Sequence, residues 1–124
     1  MRSTFLLGVV CACVTLVACD GGGTGSDPLV DDLSDLCGAV ADGVELSEQE
    51  SSFFDRAHDA VHELATRATD SDPGVGGRLL EAKQKIEAEF TEHFDDPLPA
   101  RSFDRLIDAT NDALTEVDLE NVSC

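Results

Sequence analysis

Three histidines are the side chains with the most chemistry to offer. His58 and His62 stand four residues apart in a stretch with helical periodicity, so they share a face and can turn two imidazoles toward one metal ion. Asp55, Asp59 and Glu63 lie beside them as oxygen ligands or as acceptors for the ring N–H groups. His93, near the end of the next apolar stripe, adds a third nitrogen if the two helices pack side by side. Such a set suits a divalent transition metal, Zn²⁺, Ni²⁺ or Cu²⁺. Position on the helix argues against it. At 100° per residue His58 falls about 80° from the centre of its stripe, and His62 about 120°. That makes His58 a boundary residue and leaves His62 largely in solvent. The Glu-x-x-His spacing of di-iron bundles is also missing, since Phe90 stands three before His93, and Asp55 and Asp59 give only shorter-armed versions.

Other reactive constellations are weaker still. Ser51 and Ser52 precede His58, but nothing pairs a base with either hydroxyl as an activated nucleophile requires. No Cys-x-x-Cys-His occurs, and the only methionine is Met1, which excludes a Met/His haem bundle. No glycine-rich phosphate loop follows a strand. The chain is therefore expected to be non-catalytic, and no cofactor is expected beyond the metal considered above.

The N-terminal region carries a more specific pattern. One basic residue, Arg2, precedes a run from Phe5 to Ala18 that is apolar except at Thr15. A helix of ~15 residues spans roughly 22 Å, short of the ~30 Å hydrocarbon core. The run closes on Leu16-Val17-Ala18-Cys19, and this stretch resembles the lipobox of bacterial lipoprotein precursors. The resemblance covers residues 1–26. It implies that the Cys19 sulfur takes a diacylglyceryl group and that cleavage follows Ala18. The product would be lipid-anchored at the extracytoplasmic face of the cell membrane, held there through Cys19. An ordinary secretory signal prefers a small residue at Leu16.

Removal of residues 1–18 also takes away Cys11 and Cys13. With Cys19 lipidated, Cys37 and Cys124 remain, and an even pair in an exported protein predicts a disulfide. The loop-entropy model assigns closure of so long a loop an upper bound of about 4.5 kcal/mol.

Residues 19–26 then read as lipidated cysteine and flexible tether, since Asp20–Ser26 holds four glycines and no apolar side chain. Residues 27–124 read as an acidic helical domain. Asp27-Pro28 is an N-cap followed by proline at the first helical position. Leu29, Leu33, Leu36, Cys37 and Val40 form the first stripe, and Gly43 is a stop. The second helix is expected to open on a capping box, Ser47-Glu48-Gln49-Glu50, with the stripe Phe54, Ala57, Val61, Leu64, Ala65 and Ala68. Asp72-Pro73 restarts the chain for Val75, Leu79, Ala82, Ile86 and Phe90. Gly76-Gly77 should weaken that start by ~1 kcal/mol per glycine. Asp95-Asp96-Pro97-Leu98-Pro99 is a break, and Phe103, Leu106, Ile107, Ala113, Leu114 and Val117 form the last stripe. No window alternates as a half-buried strand does. The expected fold is all-α, a small antiparallel four-helix bundle after the tether.

Charge restricts the partners. The chain has 8 Lys/Arg and 26 Asp/Glu, a net charge of −18, and loss of Arg2 makes it −19. The acidic residues are spread along the chain, which describes a solvated surface rather than an acidic tail. Nucleic acid is excluded, because phosphate binding needs Lys/Arg clusters. Anionic headgroups repel the domain, so the lipid on Cys19 is the membrane contact. The expected role is a binding or interaction module at the envelope, with a basic envelope protein as its partner. The alternative is a metal-binding lipoprotein that uses His58 and His62.

Overall fold

The computed structural model of the chain describes residues 26–93 and 95–124. The expected leader, Cys19 and the expected tether up to Gly25 lie outside the described residues. The rest is all-α, with four helices packed together.

The first helix begins as expected. Pro28 opens α1 (Pro28–Ser34), and the Asp27 carboxylate accepts from the Leu29 N–H at 2.9 Å. It does not run unbroken to Val40. The chain tightens at Asp35 and resumes as α2 (Leu36–Ala39), where Asp35, Gly38 and Val40 donate three residues back rather than four. That winding lets Leu33 and Leu36 both reach the core. Gly43 lies in the turn that follows, with φ +72°, a backbone conformation glycine adopts freely.

The second helix is a composite rod: α3 (Leu46–Glu50), a π-helical segment (Ser51–Ala57) and α4 (His58–Ser71). Its capping box is built on Glu45 and Glu48, not on Ser47 and Glu50. Glu45 keeps an extended backbone, so the helix starts one residue before Ser47 and sets Leu46 against the core. The early start also delivers Gln49 to the interior. Its amide donates to the carbonyls of Ala39 (2.9 Å) and Leu98 (2.8 Å) and accepts from the Leu98 N–H (2.7 Å). A buried amide with its hydrogen bonds made ties three segments together at little cost.

The π-helical segment corrects the second stripe. The buried aromatic is Phe53, and Phe54 is turned outward. Gln49, Phe53, Ala57 and Val61 recur every four residues. At 3.6 residues per turn such a row drifts by about 40° a step around a regular α-helix. The wider π turn takes up that drift, as the bond from the His58 N–H to the Phe53 carbonyl, five residues back, shows.

Asp72 caps α5 (Pro73–Glu92) through bonds from Gly74 N–H (2.8 Å) and Val75 N–H (3.3 Å). Gly76 has a packing role that its low helix propensity conceals. A Cβ there would come within 2.8 Å of the Ala65 carbonyl oxygen and 2.0 Å of the Thr69 hydroxyl. Backbone approaches backbone at this point, and α5 runs antiparallel to α4. The last helix is α6 (Arg101–Glu116). Beyond it, Asn111 holds the tail, accepting from the Val122 N–H (2.8 Å) and donating to its carbonyl (3.1 Å), so that Val122 is buried. Cys37 and Cys124 form the expected disulfide, Cα atoms 5.1 Å apart. Val40, Ile107 and Val117 sit half-buried at the core's edge. Among the described residues no helix is long and apolar enough to cross a membrane.

Candidate functional site

The most chemically furnished surface lies on the seam between α4 and α5, at the end where the π-helical segment meets α4. The π turn sets His58 on this seam, with 27% of its side chain exposed. Its Nε2 lies 3.0 Å from Glu87 Oε1 and its Nδ1 3.1 Å from Asp59 Oδ1. Carboxylates only accept, and a neutral imidazole donates from one nitrogen, so only the imidazolium serves both partners. Glu87 Oε1 also accepts from Lys83 Nζ at 2.6 Å, and Lys83 is 5% exposed. Burial raises the titration of the Glu87 carboxyl, but the Lys83 ammonium and the His58 ring together outweigh it and hold the group below its ordinary value. The charge of a buried lysine is thereby matched by a carboxylate one turn along the same helix.

The structure brings two of the three histidines together. The rings of His58 and His62 are 5.1 Å apart, at 73° to one another. His58 is at the boundary and His62 exposed, as their helical positions require. His93 is the exposed C-cap residue of α5. Because α4 and α5 are antiparallel and His58 faces Glu87, His62 and His93 diverge from that contact, by a rise of 1.5 Å per residue to an axial separation of ~15 Å. No group of three or more His, Cys, Asp or Glu side chains among the described residues is placed to hold a metal ion. His58 also has both nitrogens directed at carboxylates already.

Ser51 and Ser52 face elsewhere. They line an open depression of about 450 Å³ together with Gly38, Asp42, Ser47, Glu48 and Arg56. Arg56 turns toward Asp35, 3.7 Å away. A mixed-charge, wide-mouthed surface of this kind brings no nucleophile against a base.

Two features of the seam escape sequence reasoning. Lys83 and Glu87 have the spacing of a helix ion pair, and that signal was available, but it does not say that the lysine is buried. Phe54 is the other. It is 43% exposed, the large hydrophobic side chain left in solvent among the described residues. Its ring stands 5.4 Å from Phe90 and 6.2 Å from His58.

The class these observations define is an acidic, disulfide-closed helical bundle with an aromatic and histidine seam. Comparison of the chain with protein-family models, with curated proteins and with solved structures finds no match.

Proposed function

We propose that this chain is a lipid-anchored protein of the bacterial envelope whose helical domain acts, without catalysis, as an interaction module on the extracytoplasmic face. The anchor rests on the likeness of Leu16–Cys19 to a lipobox. The interaction role rests on one observation above the others. The apolar stripes pack into or against the core, Phe54 excepted, and the chain carries a charge of −18, with acidic residues on α1, α3, α4, α5 and α6. A surface of that charge attracts basic partners over roughly a Debye length, ~8 Å at physiological salt. It also keeps the domain off anionic lipid, so the tether lets it reach proteins beside the membrane.

Both halves are testable in cells. Cys19→Ala should release the protein from the membrane fraction or leave an unprocessed precursor. Retention of a normally processed Cys19→Ala protein in the membrane refutes the anchor. Photo-cross-linkers placed at exposed positions of α4, α5 and α6 should trap a basic envelope protein. The absence of any cross-linked protein from all three helices refutes the interaction role.

A further inference from the structure

Phe54 is turned to solvent by a deliberate feature of the rod, the π turn that gives its place in the core to Phe53. A lone exposed apolar residue would need no explanation. This one is the outer end of a continuous column of rings. Phe103 contacts Phe90 with centroids 5.9 Å apart, Phe90 contacts Phe54 at 5.4 Å, and Phe53 packs edge-on against Phe54 at 4.8 Å. The column supports the Phe54 ring from beneath, so little side-chain freedom remains to be lost when a partner covers it.

The rod that carries the ring is acidic: Glu50 and Asp55, four residues before and one after Phe54, are exposed, and so is Asp59, whose carboxylate meets the His58 ring. The basic groups in the neighbourhood are already engaged: Arg56 faces Asp35, Lys83 is buried on Glu87, and the His58 ring lies between Asp59 and Glu87. A rigid aromatic centre inside an acidic rim has the anatomy of an interface hot spot, and its charge selects what covers it. From this complementarity we infer that Phe54 anchors a basic amphipathic segment of a partner protein. The segment's apolar side chain packs on the Phe54 and His58 rings, and its Lys or Arg groups meet Glu50, Asp55 and Asp59. A guanidinium or ammonium over the Phe54 face adds a cation–π contact. The inference rests on the interaction-module reading and names the surface that reading lacks.

The test uses the full chain in phosphatidylcholine nanodiscs at moderate salt, with empty nanodiscs as control. The probes are an amphipathic Leu/Lys peptide and an oligolysine of equal charge. The wild type should bind the amphipathic peptide at least ten-fold more tightly than oligolysine. Phe54→Ser should remove that advantage, and Phe54→Leu should retain most of it. Helicity and the Cys37–Cys124 bond, checked in each variant, establish that the fold is kept. Equal binding of the amphipathic peptide by wild type and Phe54→Ser overturns the anchor. So does self-association of the chain that Phe54→Ser abolishes, because the occupant is then a second copy. If wild type binds both probes alike, Phe54 has no such role and the acidic interaction module stands. If it binds neither, that reading fails as well.

Discussion

Adjacent glycines on α5 should respond to alanine in opposite directions. Gly76 lies where α4 and α5 touch, and its missing Cβ is the space that the Ala65 carbonyl oxygen and the Thr69 hydroxyl occupy. Gly77 is exposed, with nothing within 4 Å of where a Cβ would go. Gly76→Ala should therefore cost about 1–3 kcal/mol by overpacking. Gly77→Ala should stabilise by about 1 kcal/mol through helix propensity alone. Denaturant unfolding of the two variants measures both, and a shift in the same direction would show that the close approach is not there. The histidines make a second residue-level prediction. Since both His58 nitrogens face carboxylates, Zn²⁺ titration of wild type and of the His58→Ala/His62→Ala double variant should give coincident isotherms at moderate salt. A tight site lost from the double variant would reinstate the metal reading.

At the scale of elements, the α4–α5 seam is held by an electrostatic link as well as by packing. His58 on α4 reaches Glu87 on α5, and Glu87 neutralises Lys83. The Glu87 carboxyl titrates below its ordinary value of 4.5 in the folded chain. A carboxyl depressed by folding contributes stability that is present above its unfolded value and is lost as pH falls through its folded value. Glu87→Gln should then be less stable than wild type at neutral pH, because it leaves Lys83 buried beside a neutral amide. The difference should shrink once the pH drops below about 4.5. Thermal unfolding of both proteins from pH 7 to pH 3 tests this, and a difference independent of pH would mean the link contributes nothing.

For the molecule as a whole, the disulfide and the tail are separable. Cys37 and Cys124 are 87 residues apart in sequence, so the bond restrains nearly all of the unfolded chain. Asn111 binds the tail independently through both backbone groups of Val122. Reduction should lower stability by about 2–4 kcal/mol, within the range for long loops. Helicity should remain native, because the tail stays docked. Circular dichroism with and without reductant, followed by denaturant unfolding, gives both numbers. Loss of helicity on reduction alone would show that the bond, not the core, holds the bundle.

The residues that follow a strict period were legible without any structure. The all-α class, four helices, the Asp27 cap and the breaks before α5 and α6 come from local rules, helical periodicity and capping chemistry, and the Cys37–Cys124 pair from cysteine arithmetic once the lipobox resemblance sets the other three aside. The boundary and exposed positions of His58 and His62 follow from the same 100° step. What local rules could not supply is everything that depends on a second element. Phe53 and Phe54 are chemically identical neighbours, and only the π turn, stabilised by packing against α2 and α5, decides which of them is buried. Gly76 looks like a weakness until α4 is placed against it. Gln49 and Lys83 are polar, and their burial depends on partners brought together by the fold, Ala39 and Leu98 for one and a desolvated Glu87 for the other. A sequence specifies where apolar surface lies along the chain. The register in which two such surfaces meet is set by close packing across the whole core, and together with the π turn it places Phe54 in solvent.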